Sequence, residues 1–122
     1  MVIDASALAA LLTNHPDAGA LRRAIVDAER VVLAPETYVR FFFDLQKEKN
    51  AAFAKAGAKL LELAQGEIVE VDAEIAEIAK NAICSQAGLS LDAAFAFALA
   101  QARGLPLLHR NEALGGLAIS CA

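Results

Sequence analysis

Three polar side chains stand close to where the sequence predicts that short parallel strands end. Asp4 directly follows a short apolar pair, Asp92 lies in the first turn of a helical pattern, and Asn111 comes soon after a late apolar run. In open parallel sheets, ligands bind at the carboxyl ends of the strands. Carboxylates that meet there repel each other, and a hard cation such as Mg²⁺ or Mn²⁺ relieves the repulsion. Such an ion activates a bound water for attack on a phosphodiester.

The same residues also have ordinary structural explanations. Asp4 can cap the helix that follows it, together with Ser6. Asp92 is favourable at a helix N-terminus because of the helix dipole, without any function. His109 fits a side chain at the end of a strand better than a catalytic base. The shared position of the two acids at strand ends favours a site over simple capping.

Length and hydropathy restrict the class of protein. The chain has 122 residues, of which 57% are apolar and 21% are charged. This length suffices for one buried core and is too short for two, so residues 1–122 are predicted to form a single domain. The longest uncharged run, 5–16, is shorter than the ~20 apolar residues of a membrane span. No basic segment followed by an apolar run opens the chain, so we expect no signal peptide and a cytoplasmic location.

Charge and cysteine content exclude two further classes. Eleven Lys and Arg against 15 Asp and Glu give a net charge of −4, which differs from the basic surface of a nonspecific nucleic-acid binder. Contact with nucleic acid would need a local cluster, for which the candidates are Arg22, Arg23 and Arg30, or Lys47, Lys49, Lys55 and Lys59. Cys84 and Cys121 lie far apart without a CxxC spacing, which excludes a thiolate zinc site. We expect Cys84 to pack in the core.

Short β-prone stretches alternate with helical patterns along the chain. The β-prone stretches are 2–3, 31–33, 68–71 and 105–108, with a fifth candidate at 118–121. Apolar residues at helical spacing predict six helices, around 8–12, 21–28, 38–45, 52–64, 75–83 and 91–103. Ser90 is placed to cap the sixth helix, and Gly88 and Gly104 are expected at left-handed helix ends. This alternation predicts an α/β fold, with a short parallel sheet of four or five strands and helices on both faces.

An aromatic triplet marks the third predicted helix. Phe41, Phe42 and Phe43 are consecutive and therefore cover more than one face of the helix. At least one of them must lie outside the apolar stripe. An exposed aromatic side chain of this kind is a reasonable interface anchor, so we expect a self-association surface and a homodimer.

Three segments together resemble a known family. The first is MVIDASALAALL, in which a strand ends in Asp and is followed by Ser and a leucine-rich helix. The second is VVLAPETYVRFFFDL, and the third is GLSLDAAFAFALAQARGLPLLHRNEAL, with an Asp in a helix-opening turn, an alanine-rich helix and a Gly-led strand. In this order they resemble PIN-domain ribonucleases, the toxin half of VapBC-type toxin–antitoxin pairs. The similarity covers nearly the whole chain.

The resemblance implies a PIN-like three-layer sandwich and a metal-dependent endoribonuclease. It also implies a site of four acids that binds Mg²⁺ or Mn²⁺, and a protein partner of the antitoxin type. Asp4 matches the first acid and Asp92 the third, so both are the expected metal ligands. Ser6 also matches the family pattern, and the resemblance gives it a supporting role near the metal.

Two of the four acids are missing. The second, a Glu in the third helix, falls at Arg40 or Phe41, and the fourth is Asn111, which keeps a carbonyl oxygen but loses the charge. One unit charge at about 4 Å and an effective dielectric near 20 is worth ~4 kcal/mol. We therefore expect weak binding of Mg²⁺ or Mn²⁺, or none. An Arg40 that points into the site can pair with a carboxylate and exclude a cation. Three nearby acids are candidates for compensation: Glu36, Asp44 and Glu112.

Three functions are compatible with these residues. The first is an active ribonuclease that cleaves RNA phosphodiesters, with Asp4 and Asp92 as metal ligands and Asn111 as a neutral ligand. The second is a degenerate PIN domain with weak or lost nuclease activity, which binds an antitoxin-like protein, RNA or a second copy of itself. The third is a doubly wound domain of flavodoxin or response-regulator type. The sequence lacks the acidic pair after the first strand that a response regulator needs, and it lacks a Gly-rich phosphate loop. The charge arithmetic favours the second.

Overall fold

The computed structural model describes residues 1–47 and 51–115. Within these residues the strands are β1 (Val2–Ile3), β2 (Val32–Leu33), β3 (Glu67–Ile68) and β4 (Leu107–Leu108). The helices are α1 (Ala5–Leu12), α2 (Ala18–Asp27), α3 (Pro35–Lys47), α4 (Ala51–Ala64), α5 (Ala73–Ser85), α6 (Leu91–Arg103) and α7 (Glu112–Gly115). The predicted alternation of strands and helices is confirmed.

The four strands form one parallel sheet in the order β3-β2-β1-β4. Val2 lies opposite Val32 on one side and opposite Leu107 on the other. The chain adds β2 and β3 on one side of β1 and then returns to place β4 on the other side. The strand order therefore reverses between β1 and β4, which is where open parallel sheets bind ligands. The fifth predicted strand, 118–121, lies outside the described residues.

Alternating side chains of the strands divide the interior into two cores. Val2, Val32 and Leu107 pack with the apolar faces of α5 and α6. Ile3 and Leu33 point to the opposite face of the sheet and pack with α1, α2, α3 and α4. Helices thus cover both faces of the sheet, and the predicted three-layer sandwich is confirmed.

Helix boundaries follow the predicted signals with one exception. The Ser90 hydroxyl accepts a hydrogen bond from the first turn of α6, and Gly104 ends that helix with φ of 65°. Gly88 also has a positive φ, 80°, but α5 already ends at Ser85. Gly88 was predicted to end a helix, but it lies in the turn between α5 and α6. The prediction of its position was therefore wrong.

The buried face of α3 explains the aromatic triplet. Phe41 is 1% exposed and packs in the second core, whereas Phe43 is 56% exposed. The expectation that one Phe lies outside the apolar stripe is confirmed. The expectation for Cys84 was wrong, because its position on α5 faces solvent. In the part of the chain that the structure describes, no helix has the length and apolar character needed to cross a bilayer.

Candidate active site

Asp4 occupies the point where the strand order reverses. Its backbone N–H donates to the carbonyl oxygen of Leu108 at 2.9 Å, which fixes Asp4 against the end of β4. Its Oδ2 accepts hydrogen bonds from the Ser6 backbone N–H at 3.1 Å and from the Ser6 hydroxyl at 2.5 Å. The side chain is 1% exposed, and its Oδ1 has no hydrogen-bond partner among the described residues. Asp4 therefore caps α1 and still presents one free, buried oxygen.

The electrostatic environment of Asp4 includes Asp92 and His109. Burial raises the pKa of the Asp4 carboxyl, against the lowering effect of its two hydrogen bonds with Ser6. The negative charge of Asp92 raises the pKa further, and His109 lowers it. The two sequence-predicted acids are thus brought close enough for their charges to interact.

Arg40 points toward Asp92. Its Nη1 lies 3.6 Å from the Asp92 Oδ1, and the Asp92 side chain is largely buried in the first turn of α6. The Arg40 Nε also donates to both carboxylate oxygens of Asp44, each at 3.0 Å. The Asp44 hydrogen bond, with the charges of Asp44, Asp92 and Asp4, raises the pKa of the Arg40 guanidinium. A permanent positive charge therefore lies beside the acidic pair.

Ser6 connects Asp4 to the loop that follows β4. The hydroxyl that donates to Asp4 also accepts a hydrogen bond of 2.8 Å from the Arg110 backbone N–H. The Arg110 guanidinium forms an ion pair with Asp17 and lies 3.4 Å from the His15 Nε2. Sequence reasoning missed this cluster, because no spacing or periodicity connects the loop before α2 with the loop after β4.

Asn111 uses its side-chain oxygen to begin α7. The Oδ1 accepts a hydrogen bond of 3.0 Å from the Ala113 backbone N–H. The Asn111 backbone N–H donates to the His109 Nδ1 at 3.2 Å. The amide oxygen that the sequence offers as a neutral metal ligand thus serves as a helix cap in this structure.

A family model supplies the decisive comparison. The model of the PIN domain matches residues 1–119 of this chain. The chain belongs to the PIN-domain family. The family resemblance seen in the sequence is thereby confirmed.

Relatives of this PIN domain include ribonucleases. A ribonuclease VapC of Mycolicibacterium smegmatis is 34% identical over 123 residues, covering 93% of this chain and 92% of that protein. Ribonuclease VapC30 of Mycobacterium tuberculosis is 32% identical over 123 residues, covering 92% of this chain and 90% of the relative. The chain is therefore VapC-like along nearly its whole length.

Solved structures share the fold of this PIN domain. The Mycobacterium tuberculosis toxin VapC20, described as cleaving the sarcin–ricin loop, has a TM-score of 0.79 at 17% identity and covers 99% of this chain and 97% of its own. A toxin–antitoxin complex from Klebsiella pneumoniae gives a TM-score of 0.72 at 19% identity, over 96% and 92% of the two chains. At these identities the similarity concerns the fold.

Asp4 and Asp92 are acidic side chains of this PIN domain that lie close enough for their charges to interact. The family resemblance leads us to expect an Mg²⁺ or Mn²⁺ ion at this site. Among residues 1–47 and 51–115, however, no three His, Cys, Asp or Glu side chains are placed to hold one. Of the three acids considered for compensation, Asp44 is paired with Arg40 and Glu112 is exposed on α7. Glu36 lines the same groove as Asp92, and its Oε1 is buried without a hydrogen-bond partner among the described residues.

An open groove of about 380 Å³ reaches Asp92, the more exposed acid of the pair in this PIN domain. Glu36, Arg40 and Asp92 form its polar part, and Val39 and Phe43 line its apolar part together with Leu91. The three apolar side chains are each more than half exposed. An exposed apolar rim beside a polar base is typical of a surface that binds another macromolecule.

Proposed function

We propose that this chain is a VapC-like PIN domain with weak or lost metal-dependent nuclease activity, which acts as a binding module for a protein partner or RNA. One observation carries this proposal: the Arg40 Nη1 lies 3.6 Å from the Asp92 Oδ1. The guanidinium supplies the positive charge that a divalent ion supplies elsewhere. A carboxylate already paired in this way is a poor ligand for Mg²⁺ or Mn²⁺.

Charge arithmetic supports weak metal binding. A unit charge at about 4 Å and an effective dielectric near 20 is worth ~4 kcal/mol, close to a thousandfold in affinity. Solvent screening reduces this value, because the Arg40 side chain is 44% exposed. The charge of Arg40 is therefore expected to lower the affinity for a divalent ion about tenfold or more. The loss of two acidic ligands lowers this affinity further.

The groove supports a protein partner. Val39, Phe43 and Leu91 expose apolar surface at its rim, and aromatic side chains of this kind are frequent interface anchors. Related structures include a toxin–antitoxin complex from Klebsiella pneumoniae and VapBC2 from Rickettsia felis bound to a promoter DNA fragment. By analogy we propose an antitoxin-like protein as the partner and a homodimer as the resting state, with RNA as the ligand inherited from the ribonuclease family.

An active Mg²⁺- or Mn²⁺-dependent ribonuclease is the second candidate function. The free, buried Oδ1 of Asp4 favours it, because a buried acceptor without a donor is the kind of atom that a cation satisfies. In that case Asp4 and Asp92 are the metal ligands, Asn111 is a neutral ligand and Ser6 orients Asp4.

Calorimetric titration with Mg²⁺ and Mn²⁺ tests the proposal. The wild type and Asp4→Asn are compared, because Asn keeps the helix cap and removes only the charge. We expect no saturable binding up to about 5 mM in either protein, and no RNA cleavage by the wild type above the variant. Submillimolar binding that Asp4→Asn abolishes, with cleavage that EDTA prevents, would overturn the proposal in favour of an active nuclease.

A further inference from the structure

We infer that Arg40 is the single residue that excludes a divalent cation from the Asp4–Asp92 pair, and that a shorter, acidic side chain at this position creates a binding site for Mn²⁺ or Mg²⁺. The inference rests on the proposed function and goes beyond it. It identifies the one side chain whose charge repels a cation from the pair, whereas the missing acids only provide fewer ligands.

The position of Arg40 does not depend on Asp92 alone. The Nε donates to both oxygens of Asp44 at 3.0 Å, one helical turn further along α3. The terminal Nη1 is thereby directed toward the Asp92 Oδ1, at 3.6 Å. Asp44 is accordingly a positioning residue for the guanidinium.

The acidic pair keeps one unsatisfied acceptor. The Asp4 Oδ1 is buried and has no hydrogen-bond partner among the described residues, although Ser6 satisfies the other oxygen twice. Buried carboxylate oxygens are normally paired with a donor or a cation. This oxygen and the adjacent Asp92 carboxylate are the acceptors that a metal ion would take once the guanidinium is removed.

The length of the side chain at position 40 also fits. The Arg nitrogen comes within 3.6 Å of Asp92. A Glu carboxylate ends two bonds, or about 2.5 Å, earlier than an Arg guanidinium, so a Glu on the same backbone ends about 6 Å from the Asp92 carboxylate. Two Mg²⁺–oxygen distances of 2.0–2.1 Å span about 4 Å, and Mg²⁺ usually keeps several of its waters. The gap therefore fits one ion that binds Asp92 directly and reaches the new carboxylate through a bound water.

Four variants of the full chain test the inference in Mn²⁺ calorimetry, with folding checked by circular dichroism. Arg40→Glu supplies a third carboxylate, and Arg40→Gln removes only the positive charge. Lys59→Glu changes the net charge as much as Arg40→Glu, but on an exposed side chain of α4 that does not line the groove. Arg40→Glu combined with Asp4→Asn removes the buried ligand.

We expect Arg40→Glu to bind Mn²⁺ at least about tenfold more tightly than the wild type, with a smaller gain for Arg40→Gln. We expect Lys59→Glu to behave as the wild type does, and the Arg40→Glu gain to disappear in the variant that also carries Asp4→Asn. A metal-induced rise in melting temperature, confined to the Arg40 variants, provides a second readout.

The inference is overturned if Arg40→Glu and Arg40→Gln bind no more tightly than Lys59→Glu, or if the gain survives Asp4→Asn. These two results leave the proposed function standing when the wild type shows no saturable Mn²⁺ binding in the same titrations. Submillimolar binding by the wild type itself overturns the proposed function and this inference together.

Discussion

The Ser6 hydroxyl donates a 2.5 Å hydrogen bond to the Asp4 Oδ2, and these two residues define the resting geometry of the site. The same hydroxyl accepts from the Arg110 backbone N–H at 2.8 Å. One side chain thus fixes both the carboxylate after β1 and the loop after β4. The stability of the edge where the strand order reverses therefore depends on Ser6.

Ser6→Ala is expected to lower the free energy of unfolding by about 1–3 kcal/mol, because it leaves a buried carboxylate oxygen and a backbone N–H with fewer partners. Urea unfolding monitored by circular dichroism measures the change. Ser85→Ala is the matched control, since the Ser85 hydroxyl donates only to the Ala82 carbonyl at the end of a helix. Equal losses in the two variants would contradict a special role for Ser6.

Asp4→Asn is expected to stabilise the protein at neutral pH by about 1–3 kcal/mol, since it removes a buried charge but keeps the cap of α1. Burial raises the pKa of Asp4 above its ordinary value of 3.8. Between pH 3.8, where Asp4 titrates in the unfolded chain, and its raised pKa in the folded protein, the folded state binds more protons than the unfolded state. The stability that protonated Asp4 contributes is therefore fully present below pH 3.8 and is lost as the pH rises through the folded pKa.

Urea unfolding of the wild type and Asp4→Asn from acidic to neutral pH measures this linkage. The advantage of the variant should be smallest at the acidic end, grow as the pH rises and then level off. A difference that stays constant across the range would mean that Asp4 titrates equally in both states.

The Arg40–Asp92 pair is expected to show a coupling of about 0.5–1 kcal/mol in a double-mutant cycle of Arg40→Gln and Asp92→Asn, because one partner is largely buried and the other half-exposed. The cycle uses free energies of unfolding, measured at low salt and again at about 1 M salt, where screening weakens the pair. The exposed pair of Lys59 and Glu62, 3.7 Å apart, serves as the reference. Equal coupling in both cycles would show that the burial of Asp92 adds nothing.

Phe43→Ala is expected to leave stability nearly unchanged and to abolish self-association, because the side chain is exposed at the rim of the groove. Sedimentation velocity of the wild type and the variant measures the oligomeric state. Phe41→Ala, in contrast, removes a fully buried ring and should cost about 3–5 kcal/mol of unfolding free energy. An unchanged dimer in Phe43→Ala would place the contact elsewhere.

Local sequence signals explain how much of the fold could be predicted. Ser90 caps α6 and Gly104 ends it because hydroxyl caps and left-handed glycines act within a single turn of helix. The position of Asp4 as the cap of α1 could be predicted for the same reason, since Asp4 directly follows an apolar strand. Helix positions were accurate wherever the apolar spacing was regular.

The remaining features depend on contacts between distant residues. The direction of Arg40 results from contacts with both Asp44, on its own helix, and Asp92, on α6, and no spacing in the sequence predicts the second contact. Asn111 caps a helix of four residues, which is too short for a periodic pattern. Arg110 meets Asp17 only because two separate loops fold to the same edge of the sheet.

The brevity of β1 has a consequence for insertions and deletions. With only two residues, this strand gives one side chain to each core: Val2 on one face and Ile3 on the other. One added or deleted residue would exchange the faces of Val2 and Ile3 and move the Asp4 backbone N–H away from the Leu108 carbonyl to which it donates. Deletion scanning should therefore find that β1 tolerates exchange among similar apolar residues far better than any change in its length.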